Sequence, residues 1–347
     1  MKVAILRDSN PESSMKWELA SQKKDLKYVV VDLVRNDWLE KIRLFKPDFC
    51  VTRPPGDIQQ NKDIFDDKLL FLEKNEGLLC FPGFNEICIY ENKATLSYFL
   101  KTGNIPHPET FVFYNKSEAL EFTAKASYPI VAKTLIGASG SGVKILHDKL
   151  QASAYINQAF SRGIRRRFGP NRNAGNPKSW LKKALNSPAF FMKKLRQYSQ
   201  RYQQLQKNVV LFQQFISHGF EWRCLKIGHS FFAYKKLKVD DKSSGSKIFE
   251  FGAPPVALLD FTKELCERFN FNFMALDMFY NEQGISVNEL QTIFGHKNPY
   301  ICKVDDKPGR YLYSNGKWIF EEGEFNTNES YDLRLENAIH VFHSHKK

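Results

Sequence analysis

The chain has 347 residues, of which 42% are hydrophobic, and its formal net charge is +13. This size and composition predict a folded protein with a substantial core, divided into two or three subdomains. The first residues become charged too soon for a secretory signal peptide, and no apolar run approaches the roughly 18 residues of a membrane span. The six cysteines form no CxxC pair, which argues against zinc sites and disulfides and favours a cytoplasmic protein.

The first 90 residues predict a small α/β domain. The predicted strands are residues 2–6, 28–32, 49–52 and 78–81, and the predicted helices lie near residues 13–23, 37–46 and 62–75. Such alternation predicts a parallel sheet that contacts ligands at the carboxyl ends of its strands. Arg7 and Arg53 follow two of these strands and are candidate contacts for an anionic substrate, although solvated loop charges would explain them equally well.

A glycine-rich loop lies between two strand-like runs, residues 128–133 and 143–146. The first run ends in Lys133, so its ammonium and the flexible backbone N–H groups of the loop can converge as a polyphosphate requires. The lysine precedes the glycines, so this is not a Walker A loop, and a plain hairpin is the alternative. The loop residues expected to contact phosphate are Gly137, Ser139, Gly140, Ser141 and Gly142.

A strongly basic segment covers residues 160–207. Between residues 151 and 220 the chain has thirteen Lys or Arg and no Asp or Glu, and the remaining 38 basic residues balance the 38 acidic ones. The first part lacks periodicity and predicts a mobile loop, whereas the second predicts amphipathic helices with an aromatic stripe. Three hypotheses stay open: contact with an anionic membrane or lipid-linked glycan, contact with a nucleic acid or another acidic polymer, and packing of the stripe with solvated lysines.

Residues 273–291 predict a hairpin of two apolar strands joined by a turn at residues 281–284. Asp277 and Glu289 each interrupt a hydrophobic run, and Gln291 lies two residues beyond Glu289 and so on the same strand face. A few carboxylates with other oxygen ligands suit Mg²⁺, which also takes water and substrate phosphates. The pattern therefore predicts a magnesium site, and a surface carboxylate is the alternative for either acid alone.

The last segment, residues 296–347, predicts a hairpin around residues 315–316 and a closing amphipathic helix at residues 330–343. His296 follows the predicted metal strand and is a candidate substrate contact. The histidines near the carboxyl terminus are interpreted as a solvated helix end and not as a metal site.

In this order, the motifs resemble the ATP-grasp superfamily, most nearly its ribosomal-protein glutamate ligase (RimK-type) and glutathione synthetase branch. The resemblance runs from about residue 90 to residue 295. Lys93, at a helix start, resembles the first nucleotide lysine of the family, and residues 219–223 resemble its Gly-x-Asp/Glu-x-Arg element. The strand at residues 209–216 resembles the hinge that holds adenine, with Gln213, Gln214, Phe215 and Ile216 at its end.

The resemblance implies an α/β (α+β) protein with the ATP-grasp fold. A parallel α/β domain at residues 1–90 would precede an ATP-grasp domain at residues 91–295, whose two α+β subdomains enclose the ATP cleft. The basic helical segment would be an insertion in this domain, and residues 296–347 would add the carboxyl-terminal hairpin and helix.

The resemblance also implies roles for single residues toward ATP and two Mg²⁺ ions. Lys93 and Lys133 would hold the α- and β-phosphates, and Glu221 would accept hydrogen bonds from the ribose. The implied metal ligands are Asp277, Glu289 and Gln291, and the implied catalytic residues are Arg223, Lys235 and Lys236. Two departures from the family pattern stand out: a glutamine replaces the usual asparagine of the metal strand, and two lysines replace an arginine near the γ-phosphate.

By the same resemblance, the protein is expected to be an ATP-dependent ligase that joins a carboxylate substrate to an amine acceptor through an acyl phosphate. The substrate would be either a cell-surface polysaccharide or its lipid-linked precursor, which would bring the protein to the inner membrane face, or a peptide. The alternative of a different class is a nucleotide-binding scaffold without catalysis, which docks on a membrane or a nucleic acid through residues 160–207.

Overall fold

The computed structural model describes residues 1–137, 142–166, 192, 199, 204–239, 242–243, 249–295 and 297–345. Four predicted site residues, Ser139, Gly140, Ser141 and His296, lie outside the described residues, as does most of the basic segment at 160–207. No helix within the described ranges is long and apolar enough to cross a membrane.

The amino-terminal residues form a parallel sheet flanked by helices. Its strands are β1 (Lys2–Arg7), β2 (Lys27–Asp32), β3 (Phe49–Thr52) and β4 (Cys80–Phe81), and its helices are α1 (Met15–Lys23), α2 (Trp38–Phe45), α3 (Gln59–Lys74) and the short α4 (Phe84–Ile87). The strand order is β2-β1-β3-β4, and all pairings are parallel. The predicted parallel arrangement is confirmed, and α4 is a turn of helix that the sequence pattern did not predict.

The central strand β1 is apolar on both faces because packed elements cover both sides of the sheet. Val3 and Ile5 belong to one core cluster, whereas Ala4 and Leu6 belong to another, and all four are fully buried. The first cluster continues through Phe273 into the largest sheet of the protein. The amino-terminal sheet is therefore packed firmly against the rest of the chain.

A small antiparallel sheet carries the glycine-rich loop. Helix α5 (Lys93–Thr102) precedes this sheet. The elements that follow in chain order are β5 (Thr110–Phe113), α6 (Lys116–Lys125), β6 (Ile130–Lys133), β7 (Val143–Leu146) and α7 (Lys149–Ala159). The ends of the basic segment form the two-stranded ribbon β8 (Ile164–Arg165) and β9 (Leu205–Gln206), and β10 (Val210–Gln214) follows. The sheet order is β5-β10-β6-β7, so the predicted hinge strand β10 lies beside the lysine strand β6.

The described ends of the basic segment are anchored to the amino-terminal domain. Arg166 is buried and donates to the carbonyl oxygen of Asp57, and the N–H of Gln59 donates to Oε1 of Gln204 at 3.2 Å. The two described ends therefore lie beside the same part of the amino-terminal domain.

The largest sheet contains the predicted magnesium hairpin. Its strands in the described part of the chain are β11 (Phe220–Ile227), β12 (Ser230–Val239), β13 (Lys242–Ser243), β14 (Phe249–Glu250), β15 (Phe273–Asn281), β16 (Gly284–Gln291), β17 (Lys303–Val304), β18 (Lys307–Ser314) and β19 (Lys317–Glu322). The central order is β16-β15-β11-β12-β18-β17. Helices α8 (Val256–Arg268) and α9 (Tyr331–His345) complete the fold.

Both predicted hairpins form. The turn between β18 and β19 places Asn315 and Gly316 at φ values of 51° and 76°, as a two-residue I′ turn requires. The turn between β15 and β16 brings Asp277 opposite Glu289 on neighbouring strands. The hairpin therefore delivers both predicted metal carboxylates to the same region of the sheet.

Glu86 fastens the short helix α4 to the largest sheet. Its side chain is buried, and its carboxylate accepts the N–H of Phe273 at 2.6 Å and the N–H of Gly83 at 2.9 Å. Burial raises the pKa of Glu86 to about 7, although these backbone hydrogen bonds oppose the shift. One carboxylate thus satisfies buried N–H groups from two parts of the fold.

Replacing Glu86 with Ala should lower the free energy of unfolding by about 2 kcal/mol or more, because two buried N–H groups lose their acceptor. Glu86→Gln should fall between wild type and Glu86→Ala, because one amide oxygen remains. Urea unfolding followed by circular dichroism measures the change, with the exposed Glu264→Ala on α8 as the control. Equal stability of Glu86→Ala and Glu264→Ala would contradict the assignment.

Candidate active site

A cavity of about 440 Å³ opens between the small antiparallel sheet and the largest sheet, and the amino-terminal domain and the start of α9 close one side of it. The predicted residues that line this cavity are Arg53, Lys93, Lys133, Gly137, Gln213, Gln214, Phe215, Ile216, Glu221, Arg223, Lys236, Glu289 and Gln291. The structure therefore brings together residues that are spread over more than 230 positions of the sequence (from 53 to 291).

One part of the cavity has apolar walls. Val131, Ile145 and Leu211 of the small sheet contribute to it, together with Phe279 of β15. The side chain of Gln213 is already engaged, because its Nε2 donates to Oγ1 of Thr110 at 3.0 Å. An apolar slot beside the end of a hinge strand suits a flat base that is recognised by backbone groups.

Two lysines reach the cavity beside the glycine-rich loop. Nζ of Lys133 donates to Oδ1 of Asn288 at 3.0 Å, and Nζ of Lys93 donates to the carbonyl oxygen of Gly137 at 2.8 Å. Nζ of Lys93 also lies 3.6 Å from Oε1 of Glu289. Burial lowers the pKa of Lys133 to about 8, although the charge of Glu289 opposes the shift. A phosphate oxygen close to Lys133 would offset the cost of burial, because its negative charge stabilises the ammonium.

Glu91, which was not among the predicted site residues, secures the start of the same loop. Its side chain is buried, and its Oε2 accepts the N–H of Gly137 at 3.2 Å. Burial raises the pKa of Glu91 to about 7, while the neighbouring Lys93 lowers it. Glu91 has a φ of 50° just before α5. The sequence offered no signal for this contact because the two partners are 46 residues apart.

A ladder of charged side chains lies on four neighbouring strands at the floor of the cavity. In the sheet register Glu221 faces Lys236, Arg223 faces Asp277, and Asp277 faces Glu289. Arg223 holds Asp277 through two hydrogen bonds, from Nε to Oδ1 at 2.6 Å and from Nη2 to Oδ2 at 2.7 Å. Nζ of Lys236 donates to Oδ2 of Asp277 at 2.6 Å and to Oε2 of Glu221 at 2.9 Å.

The geometry bears on the predicted role of Asp277 as a metal ligand. Burial opposes ionisation of Asp277, but the charges of Arg223 and Lys236 outweigh it and hold the pKa of this carboxyl well below its usual range. Both oxygens of Asp277 accept hydrogen bonds from these cations, and the side chain does not line the cavity. Three of the four lone-pair sites of this carboxylate are thus taken, which leaves one site on Oδ1 for a metal.

Glu289 and Gln291 are the predicted metal ligands that do face the cavity. Oε1 of Gln291 accepts from Nη2 of Arg223 at 3.2 Å and keeps a second lone pair. Within the residues that the structure describes, no group of three or more His, Cys, Asp or Glu side chains could hold a metal by itself. The donor set therefore fits one Mg²⁺ that takes its remaining ligands from phosphates and water, and it does not by itself support the second ion.

Besides Asp277, three predicted residues do not line the cavity: Gly142, Lys235 and Arg7. Lys235 is adjacent to Lys236 in β12, so the two side chains point to opposite sheet faces, and Lys235 pairs with Glu250 on the outer face. Arg7, at the end of β1, does not line the cavity, and its buried Nε has no hydrogen-bond partner among the residues that the structure describes. Of the neighbouring lysines Lys235 and Lys236, only Lys236 faces the cavity. Of the two predicted arginines Arg7 and Arg53, only Arg53 does.

Asn288 is a further site residue, and a β-bulge accounts for it. The strand register shifts between Asp277 and Met278, where β16 carries one extra residue. Nδ2 of Asn288 donates to Oε1 of Glu221 at 3.1 Å, while its Oδ1 accepts from Lys133. Strict alternation from Glu289 would have turned Asn288 to the other face. The bulge thus links Lys133 to the charged ladder.

The parallel amino-terminal sheet, the small antiparallel sheet with its glycine-rich loop, and the large sheet with its charged ladder define the ATP-grasp fold. Solved structures agree. A RimK-domain ATP-grasp protein from Sphaerobacter thermophilus has a TM-score of 0.52 and 16% identity, over 84% of this chain and 90% of that one. D-alanine–D-alanine ligase from Bacillus anthracis has a TM-score of 0.53 and 13% identity, over 99% of both chains. The resemblance stated from the sequence is thus confirmed at the level of the fold.

Two curated relatives are similar to this chain over shorter stretches of sequence. α-Aminoadipate–LysW ligase LysX from Saccharolobus solfataricus is 26% identical over 157 residues, which cover 42% of this chain and 55% of that protein. Phosphoribosylamine–glycine ligase from Clostridium acetobutylicum is 28% identical over 165 residues, covering 43% of this chain and 38% of that protein. The chain thus spans about half or less of the length of these relatives. No protein-family model matches the sequence.

We expect Asn288→Ala to weaken ATP binding by roughly tenfold to a hundredfold, because Lys133 and Glu221 each lose a hydrogen bond that involves a charged group. Calorimetric titration with ATP and Mg²⁺ measures the effect. Ser286→Ala, two residues earlier in β16, is the matched control. Binding by Asn288→Ala as tight as that of the control would show that the bulge has no part in the site.

The affinity for ATP should also depend on pH through Lys133. In the free protein this lysine is charged below its pKa of about 8 and loses its charge above it. Bound phosphate favours the charged form, so the affinity should stay level below pH 8 and fall as the pH rises beyond it. Lys133→Arg should remove this fall between pH 8 and 9, because the guanidinium stays protonated. Titration with ATP across that range distinguishes the two proteins, and parallel curves would refute the assignment.

Proposed function

We propose that the protein is an ATP-dependent ligase that joins a carboxylate to an amine and releases ADP and phosphate. The observation that carries the proposal is the single cavity in which Lys93, Lys133 and Lys236 meet Glu289 beside an apolar slot. The named activities of the curated relatives, both ligases, support the same reaction class. The structure of N5-carboxyaminoimidazole ribonucleotide synthetase with ADP, similar at a TM-score of 0.54 and 14% identity, supports the choice of nucleotide.

In this proposal the nucleotide spans the cavity from the apolar slot to the charged ladder. The base lies against the small sheet near residues 213–216, and Glu221 accepts from the ribose. Lys93 and Lys133 neutralise the phosphates, while the amides near Gly137 add N–H donors. Lys236 stands at the inner end of the ladder, where the γ-phosphate would lie. Lys93, Lys133, Glu221 and Lys236 are held by hydrogen bonds within the protein, so we expect little reorganisation of these side chains on binding.

The reaction itself needs positioning more than covalent help from the protein. A carboxylate oxygen of the substrate forms a bond to the γ-phosphorus, and the bond from that phosphorus to ADP breaks. The amine then bonds to the acyl carbon, phosphate leaves, and the nitrogen gives up a proton. Lys236 and Arg223 would stabilise the charge that shifts onto ADP during the first step. Mg²⁺ held by Glu289 and Gln291 would neutralise further charge on the phosphates.

A product assay tests the reaction class. The protein is incubated with ATP, Mg²⁺ and pools of amino acids, peptides and uronic-acid glycans, and ADP is measured against AMP. Release of ADP and phosphate that depends on an added carboxylate supports the ligase. AMP and pyrophosphate would contradict the acyl-phosphate route, and nucleotide binding without turnover in every pool would favour the scaffold alternative.

The neighbouring lysines of β12 provide a matched pair of variants. Lys236→Met should reduce kcat/KM for ATP by roughly 10²- to 10³-fold, because a preorganised charge near the transferred phosphoryl group is lost. Lys235→Met should leave the rate nearly unchanged, because its ammonium is on the other face. Steady-state ADP release gives both values, and circular dichroism confirms that each variant is folded. Equal losses would contradict the placement of Lys236.

The partner of the basic segment stays a prediction. Docking of residues 160–207 on an anionic membrane or an acidic polymer, and with it a peripheral position at the inner membrane face, rests on the charge pattern of the sequence. The described ends of the segment, at Arg166 and Gln204, contact the amino-terminal domain.

A further inference from the structure

Strand β19 lies at an open edge of the largest sheet. Among the residues that the structure describes, it pairs with β18 and with no other strand. It contains no proline, and its register with β18 is continuous over all six residues, so no bulge interrupts it. The edge of such a strand presents N–H and C=O groups without strand partners, and it can therefore accept a further strand.

The hydrogen bonds of the β18–β19 hairpin determine which backbone groups face this open edge. The N–H of Gly323 donates to the carbonyl oxygen of Pro308 at 2.9 Å, so these two residues form a hydrogen-bonded pair. Such pairs alternate with non-hydrogen-bonded pairs along an antiparallel ladder. Counting back from Gly323 in steps of two therefore gives the residues of β19 that bond to β18. The other residues of the strand turn their backbone groups to the open edge: Trp318, Phe320 and Glu322.

The side chains of β19 differ between the two faces of the sheet. Trp318 points inward, and its Nε1 donates to Oδ1 of Asp260 on α8 at 2.7 Å. Because side chains alternate along a strand, the outer face carries the other residues. These are Lys317, Ile319 and Glu321. Ile319 is 51% exposed, so an apolar side chain stands in solvent between a cation and an anion.

The edge of β19 is complementary to itself. When two copies of one strand pair antiparallel, backbone hydrogen bonds form only between residues whose N–H and C=O groups point to the edge. A two-fold axis through Ile319 fulfils this condition, because it sets Trp318 of one copy opposite Phe320 of the other. The same axis sets Lys317 opposite Glu321 at both ends of the pair, and it sets Ile319 opposite its own counterpart.

The charges favour this register over its neighbours. Opposite charges directly across an antiparallel pair are stabilising, whereas like charges are destabilising. An axis moved to Phe320 would set Ile319 opposite Glu321 and would lose both ion pairs. The Glu321 carboxylate has capacity for a second cation, because only its Oε2 accepts from Nε of Arg310, at 2.7 Å, and the side chain is 44% exposed.

We propose that β19 is the contact of a symmetric homodimer, in which two copies pair antiparallel about an axis through Ile319. The largest sheet then continues from one copy into the other, and the two exposed isoleucines cover each other between the ion pairs. A strand of another protein would gain the same backbone hydrogen bonds but not, by symmetry, the matching charges. No residue of β18 or β19 lines the cavity, so this inference does not depend on the proposed reaction.

Sedimentation velocity of the full chain over a range of concentrations tests the dimer. One strand pair is small beside a standard interface of roughly 1,600 Å², so we expect a dissociation constant in the micromolar range. The wild-type protein should therefore change from monomer to dimer between about 1 and 200 μM. A protein that stays monomeric over this range overturns the proposal and leaves the edge to a strand of another chain.

Charge reversal distinguishes this contact from any other interface between copies. Lys317→Glu and Glu321→Lys should each raise the dissociation constant by about tenfold or more, because like charges then face each other at both ends of the strand pair. Lys27→Glu is the control, since Lys27 is an exposed lysine on the edge strand β2, and it should dimerise as wild type does. Thermal melting followed by circular dichroism confirms that each variant is folded.

Mixing the two single variants tests the register itself. In a mixed pair, Lys317→Glu supplies two acids and Glu321→Lys supplies two lysines, so every facing pair is again opposite in charge. The mixture should form a heterodimer with an affinity within about threefold of wild type, and the double variant should recover its homodimer. Single variants that dimerise as tightly as the control would refute the contact. A mixture that associates no better than its components would refute the antiparallel register.

Discussion

The buried carboxylate of Asp277 is the group on which the active-site floor depends. It joins β15 to β11 through Arg223 and reaches β12 through Lys236, so three strands are held in one register by charge as well as by backbone hydrogen bonds. Glu221 and Asp277 of this ladder balance Arg223 and Lys236, and a buried charge without its partner costs several kcal/mol. In the proposed function, the lysines beside the glycine-rich loop would then attract the phosphates.

Much of the fold is encoded locally and was predictable for that reason. The alternation of short apolar runs and helical patterns specifies the parallel sheet, and the turn residues Asn315 and Gly316 specify a hairpin. Lys133 and Glu289, which both line the cavity, could be chosen as candidates because each interrupts or ends a strand-like run. Lys235 and Lys236 show the limit of such patterns. Because side chains alternate along a strand, the sequence predicts that the two lysines face opposite sides of β12. Which of these sides faces the cavity depends on how the sheet packs.

Other site residues depend on contacts that no local pattern contains. Asn288 reaches Lys133 only because β16 gains a residue relative to β15, and register is a property of two strands together. Glu329 occupies a left-handed turn where glycine or asparagine is expected, and the hydrogen bond from Asn328 to the Lys16 carbonyl oxygen ties this turn to an element 312 residues away. Such positions contradict local preference, and they become visible only once tertiary structure is known.

The ribbon of β8 and β9 brings the two ends of the basic segment together beside the amino-terminal domain. When both ends of a segment are fixed side by side, each doubling of its length costs only about 0.6 kcal/mol in chain entropy. Insertions, deletions and substitutions could therefore accumulate in this segment during evolution while the cavity stays unchanged. If the proposed function holds, the partner bound by this segment and the chemistry of the cavity could change independently of each other.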